Sequence, residues 1–267
     1  MTAAARLNDG RAVIPRNGYL SVPSADAVGV DVGLMERGLA LAGLVLTAPA
    51  MAVAALAIRR SSPGPVLYRA QRAGQAGRPF TMLKLRTMHM GSERLGQITG
   101  GMDGRVFPAG RVLRRLKFDE VPQLVNIVRG EMAFIGPRPE ALAIVETDYR
   151  PWMLETLRVP PGLVGPGSLW YFHHERELPP DAEAAESLYV RALLPSKLVR
   201  ELMFVRRPSP AYRWEVVART LLEIVGLGRL MNSYREKEDR EAERLLAQVQ
   251  SGAPEELRQP ASTLTEG

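Results

Sequence analysis

The chain has 267 residues, enough for one domain of moderate size with appendages or for two small domains. It contains no cysteine, which excludes a disulfide framework and any thiolate metal site, and aromatics at 6% argue against a base-stacking surface for single-stranded nucleic acid. A net charge of +6 and a pI near 9.9 favour anionic partners such as phospholipid headgroups or nucleotides.

Residues 1–31 are rich in Ala, Gly, Pro and Asp without a sustained period and read as a flexible arm. Gly38 to Ile58 carries no charged side chain, and Thr47 is its one hydroxyl. At about 1.5 Å rise per residue, a helix of that length spans roughly the hydrocarbon core of a bilayer. The long stretch before it holds Asp9, Asp26, Asp31 and Glu36, unlike the short basic leader of a secretory signal. Pro49 lies mid-segment, where it removes a backbone hydrogen bond and bends the helix. Arg37 flanks one end and Arg59-Arg60 the other, so charge gives no orientation. A kinked helix that crosses and a helix that bends at Pro49 and returns both fit these residues.

Pro63-Gly64-Pro65 ends that helix. Residues 66–69 and 80–85 read as two strands of a hairpin around Gly74 and Gly77. Gly91 to Gly104 has the length of a lid or substrate loop. A short basic helix is expected over Arg111 to Leu116. Val121, Leu124, Val125 and Val128 then share one face of a helix ending at Gly130, with Pro122 tolerated in its first turn. Gly136-Pro137-Arg138-Pro139 is a rigid turn into a helix that reaches about Tyr149, and residues 160–167 are irregular. Helical character returns over Ala182–Phe204 and Tyr212–Leu227. The face of Trp214, Val217, Leu221, Ile224 and Val225 suits either a membrane interface or a protein core. Residues 234–247 alternate charges and read as a solvated helix, and the last fifteen as disordered.

The chemistry-bearing pair is Asp119-Glu120, expected at a helix N-terminus where the macrodipole, with Arg114 and Arg115 upstream, favours the ionised form. An ionised Asp can attack phosphorus. A neighbouring Glu can hold a hard cation such as Mg²⁺, which takes one or two carboxylates plus substrate phosphate. As a dipeptide alone the pair reads first as an N-cap with a first-turn acid, which is common in soluble helices. His173-His174-Glu175 makes a poor zinc site, because adjacent histidines diverge.

The wider pattern narrows this. Upstream come Ser62-Pro63-Gly64-Pro65-Val66-Leu67-Tyr68-Arg69, Gln71-Arg72, Gly74, and Lys84-Leu85-Arg86-Thr87-Met88. Asp103, Arg105, Gly110, Leu113 and Arg114 follow, then Asp119-Glu120-Val121-Pro122-Gln123-Leu124, Asn126, Gly130-Glu131-Met132 and Gly136-Pro137-Arg138-Pro139. From about residue 33 to 230 the chain resembles the bacterial sugar transferase family, the monotopic polyprenyl-phosphate phosphoglycosyl transferases, in their compact form.

The resemblance implies an α+β, mostly helical fold. A re-entrant membrane helix kinked at Pro49 (residues 32–60) precedes a catalytic domain with a β-hairpin and interfacial amphipathic helices (61–230), then a charged helix and tail (231–267). It implies that Asp119 takes a sugar phosphate from a UDP-sugar as an acyl phosphate and passes it to polyprenyl (undecaprenyl) phosphate, starting exopolysaccharide or O-antigen assembly. Glu120 would be the Mg²⁺ ligand, and Arg114, Arg138, Lys84 and Arg86 would contact phosphate; planar guanidinium forks suit that role. Membrane lipids and a second copy of the chain are the further partners, nucleic acid is not one, and the site is the cytoplasmic face of the bacterial inner membrane. Two departures stand out. Ala48 replaces the serine usual before Pro49, and the family's nucleotide-side arginine has no clean counterpart downstream of Pro161-Gly162, Arg176 being the nearest. The rival reading is a non-catalytic, basic membrane scaffold that binds lipid or nucleic acid.

Overall fold

The computed structural model describes residues 31–92, 104–179, 181–207, 209–228 and 232–251. The arm through residue 30, the loop from 93 to 103 and the last fifteen residues lie outside the described residues.

Helix α1 (Leu34–Ser61) continues without interruption through Pro49. Thr47 Oγ1 donates to the Gly43 carbonyl at 2.7 Å, the back-bonding that bends helices when it occurs mid-element. Although α1 is apolar nearly all round, only a narrow stripe packs. Ala40, Leu44, Thr47, Met51, Ala54 and Ile58, three or four residues apart, are buried or half-buried, while Leu39, Leu46 and Val53 are exposed. Both ends are tied to the rest of the chain. The Glu36 carboxylate accepts the Phe134 N–H at 2.5 Å. At the other end the Arg86 guanidinium donates to Ser62 Oγ (2.8 Å), the Ser62 carbonyl (2.7 Å) and the Pro65 carbonyl (2.7 Å).

The expected hairpin is present with longer strands. β1 (Leu67–Ala73) pairs antiparallel with β2 (Pro79–Leu85), from Leu67↔Leu85 to Ala73↔Pro79. Its turn has left-handed backbone at Ala76 (φ 54°) and Gly77 (φ 72°). Helix α2 (Pro108–Arg115) starts on a proline, which suits a first turn. Helix α3 (Gln123–Arg129) ends at Gly130 (φ 79°). Its buried positions are Gln123, Leu124, Asn126 and Ile127, so the expected face of Val121, Leu124, Val125 and Val128 is rotated. The reason is polar: Asn126 Nδ2 donates to the Thr81 carbonyl (2.8 Å) and its Oδ1 accepts the Leu83 N–H (3.1 Å), anchoring α3 to the hairpin. Ala40, Ala70, Met82, Leu124, Ile127 and Met132 form the core between α1, the hairpin and α3.

Strand β3 (Ala133–Ile135), between Gly130 and Gly136 where no element is expected from the sequence, pairs in parallel with β4 (Gly162–Val164), inside the stretch read as irregular. A Cβ on Gly136 would come within 2.7 Å of the Pro160 carbonyl, so the two backbones approach too closely for side chains. Helix α4 (Leu142–Asp148), a tight helical stretch over Pro151–Arg158, α5 (Pro166–His174) and α6 (Ala182–Leu188) follow. A π-turn at Tyr189–Leu193 then leads into α7 (Leu194–Arg206). Ile144, Val145, Tyr149, Met153, Leu194 and Leu198 are central to the second core.

On α8 (Pro210–Ile224) the packed side is Val216 and Arg219, whereas Trp214 is 73% exposed and Leu221 59%. Of the expected apolar face, Trp214, Leu221 and Val225 are exposed and Val217 is half-buried. Helix α9 (Asn232–Ser251) is not simply solvated as its charge pattern suggested. Ala242 and Glu238 are buried, and Arg219–Glu238, Arg200–Asp239 and Arg207–Glu241 ion pairs dock it.

Candidate active site

Four segments converge on Asp119 and Glu120. The pair sits in a 3₁₀ turn, Phe118–Glu120, and not in the first turn of α3, which begins three residues later. The chain enters that turn through Lys117, a non-glycine residue at φ 54°. Such a conformation costs on the order of 1–3 kcal/mol and persists only where surrounding structure fixes it. Here α2 and the hairpin do so. Gly110 of α2 lies against the Thr87 backbone where a Cβ would collide, and one turn later Arg114 Nε donates to Thr87 Oγ1 at 2.8 Å.

Glu120 is the electrostatic hub. Its Oε1 accepts from Arg138 Nη2 at 2.6 Å and lies 3.4 Å from Lys84 Nζ. Arg138 is held by its other terminal nitrogen, which donates to the Leu163 carbonyl at 2.8 Å and reaches Gln123 Oε1 at 3.4 Å. The β3–β4 pair thus serves the site directly, since the carbonyl of β4 aims the guanidinium that follows β3. Burial alone would raise the Glu120 pKa. The charges of Arg138, Lys84 and Lys117, with the Arg138 hydrogen bond, outweigh it and hold the carboxylate well below its usual range.

Asp119 behaves oppositely. It is 7% exposed, and burial, assisted by the neighbouring Glu120, raises its pKa although Lys84, Arg114 and Lys117 pull it down. The helix-dipole argument for a readily ionised Asp119 is therefore corrected: the pair is not on the helix terminus, and desolvation dominates. Lys84 is half-buried, and that desolvation lowers its pKa to about 8 against the attraction of Glu120. Two adjacent carboxylates with pKa values driven apart is the arrangement of divided catalytic roles.

The expected residues Lys84, Arg86, Arg114 and Arg138 all line one cleft with the pair. Arg86 is 4% exposed and its donors go to Ser62 and Pro65, so it clamps the end of α1. The side chain of Arg176 lies outside the described residues. Two contributors were not singled out from sequence. Lys117 stands two residues before Asp119, a proximity visible in the chain. Glu201 is a charged residue on the apolar face of α7 marked by Leu194, Leu198 and Leu202.

Asp119, Glu120, Lys84, Arg114 and Arg138 line one cleft of about 1810 Å³ that also reaches Arg59 at the end of α1 and Tyr171 on α5. Its basic walls suit a polyanion, and its extent to α1 suits a substrate presented at a membrane surface. No group of three or more metal-ligating side chains occurs among the described residues. The donor set that is present, one carboxylate kept ionised beside a second, matches the way Mg²⁺ binds with substrate phosphate and water instead of in an all-protein cage.

The family model for bacterial sugar transferases matches residues 32–226. This chain belongs to the bacterial sugar transferase family. Among curated relatives, the chain is 44% identical over 146 residues to a UDP-glucose:undecaprenyl-phosphate glucose-1-phosphate transferase of Caulobacter vibrioides, covering 51% of this chain and 54% of the relative. It is 40% identical over 114 residues to a putative undecaprenyl-phosphate N-acetylgalactosaminyl 1-phosphate transferase of Bacillus subtilis, covering 42% and 64%. A UDP-glucose:undecaprenyl-phosphate glucose-1-phosphate transferase of Escherichia coli K12 is 39% identical over 127 residues, covering 46% and 27%. The matches thus span between about a quarter and two thirds of these relatives.

Proposed function

We propose that this chain transfers a sugar 1-phosphate from a UDP-sugar to undecaprenyl phosphate through a covalent intermediate on Asp119. The observation that carries the reading is the Asp119–Glu120 pair itself, one carboxylate locked as an anion by Arg138 and Lys84 and the other buried beside it in a basic cleft. The names of the relatives supply the substrate classes.

In the first half-reaction an Asp119 carboxylate oxygen attacks the sugar-bearing phosphorus. The P–O bond to the nucleoside monophosphate breaks, and UMP leaves with the electron pair. A phosphate oxygen of the polyprenyl phosphate then attacks the same phosphorus, and Asp119 leaves as a free carboxylate. Arg138 and Arg114 orient the diphosphate and offset the charge that accumulates on its oxygens. Glu120, with Asp119 alongside, would hold Mg²⁺, which neutralises phosphate charge when bound.

The proposal puts the domain on the cytoplasmic face with α1 re-entrant. In support, α1 is long and apolar enough to cross a bilayer, yet both its ends are tied to the domain and its contact stripe runs its whole length. A straight crossing would carry the packed domain with it. The exposed Trp214 and Leu221 face of α8 adds an interfacial contact with lipid. A non-catalytic scaffold would explain the basic charge and α1, but gives no reason for a buried aspartate beside an ion-paired glutamate. Membranes containing the chain should release UMP from a UDP-sugar and place label in the lipid phase when undecaprenyl phosphate is supplied. Asp119→Asn should abolish both; undiminished release by that variant refutes the assignment.

A further inference from the structure

Pro137-Arg138-Pro139 has a single backbone donor, because neither proline carries an N–H. That donor, the Arg138 N–H, points at Glu201 Oε1 on α7 at 3.3 Å. Glu201 has no exposed surface and stands among the apolar residues Leu198 and Leu202. Burying a carboxyl is costly unless it is hydrogen-bonded, and Glu201 also takes a backbone hydrogen bond from Ser168 of α5. The structure around it is cut to admit it. A Cβ on Gly165 would stand 2.8 Å from Glu201 Oε2, and one on Gly167 would stand 2.7 Å from Oε1. Nearby Lys197 is already paired with Glu140, whose other partner is the Tyr189 hydroxyl at 2.7 Å. Burial lifts the Glu201 pKa to about 8, helped by the Glu140 charge, against the pull of Lys197 and of the Arg138 and Ser168 amides.

The transfer chemistry above does not use Glu201, yet it touches the backbone of the residue on which Glu120 depends. We infer that Glu201 is a positioning residue: it holds the Arg138 main chain so that the guanidinium, braced on the Leu163 carbonyl, meets Glu120 and the donor diphosphate. The inference rests on the proposed transferase function for its catalytic consequence, while its structural half stands on the Arg138 N–H bond alone.

The test uses the full chain and three substitutions, E201M, E201Q and R138A. Methionine keeps the volume but removes the acceptor; glutamine keeps an acceptor oxygen. Hydrogen exchange at the Arg138 amide should quicken by about tenfold or more in E201M and stay near wild type in E201Q. UMP release should fall about 10–100-fold in E201M, mainly in kcat, as expected when a catalytic group is misplaced, and recover in E201Q. The E201M/R138A double variant should be no slower than R138A. Unchanged exchange in E201M, or losses that add in full in the double variant, would overturn the inference. If E201M does not fold, E201Q decides: activity as low as that of R138A overturns the role, and activity near wild type supports it. No turnover in the wild type would instead sink the transferase reading, with the exchange result still reporting on the Glu201–Arg138 bond.

Discussion

Arg138 Nη2 stands 2.6 Å from Glu120 Oε1, and the two residues are 18 apart in the chain. The same oxygen faces Lys84. Because the other arm of the guanidinium is fixed on the Leu163 carbonyl, the fork approaches Glu120 from one direction. Glu120 therefore stays an anion, while Asp119 next to it is pushed toward its neutral form.

Removing that fork should cost transition-state stabilisation. Arg138→Ala is expected to lower kcat/KM for UMP release by about 10²–10³-fold, the range seen when one preorganised donor is lost. Arg138→Lys keeps a charge but not the planar fork, and should fall between the alanine variant and wild type.

The pH profile should be bell-shaped. Asp119 must be ionised to attack phosphorus, and its pKa is raised, so activity is lost as pH falls through a value above the ordinary aspartate pKa of about 3.9. Lys84 titrates at about 8; above that it loses the charge that faces Glu120 and Asp119, and activity declines again. Lys84→Met should remove the alkaline limb and move the acid limb upward, because one of the charges lowering the Asp119 pKa is gone. Rates measured from about pH 5 to about pH 10 with a fixed Mg²⁺ concentration give both limbs.

Arg86 separates structure from substrate binding. Its guanidinium satisfies two carbonyls and a hydroxyl at the end of α1. Arg86→Met should destabilise the fold by about 2 kcal/mol or more, since buried acceptors are left unpaired. On a domain of this size that is a fall in Tm of about 4–8 °C. The KM for the UDP-sugar should not change. A raised KM at unchanged Tm would return Arg86 to the phosphate site.

The α8 face offers a membrane measurement. Trp214 is 73% exposed, whereas Trp152 and Trp170 pack against a core. Brominated lipids should quench fluorescence in the wild type, and most of that quenching should disappear in Trp214→Phe.

The sequence spoke clearly where local chemistry decides local structure. The apolar run of α1, the glycine turn of the hairpin and the Gly130 helix stop all follow from composition and spacing. The residues that meet in the cleft, Asp119, Glu120 and Arg138, were legible as a motif. What escaped depends on non-local contact. β3 and β4 have three residues each and pair across a long insertion, so neither shows a period. The face of α3 rotated because a buried Asn126 found partners on β2. Neither the donors that tie Arg86 to Ser62 and Pro65 nor the approach of Glu201 to the Arg138 amide leaves a local signal in the sequence.

In the proposed transfer Asp119 forms a bond to phosphorus. The most direct measurement is mass spectrometry of acid-quenched enzyme incubated with Mg²⁺ and a panel of UDP-sugars, without undecaprenyl phosphate. A sugar-phosphate mass is expected on the peptide that contains Asp119, lost when undecaprenyl phosphate is supplied before the quench. UMP release that continues at full rate while that peptide never carries the added mass would contradict the proposed bond.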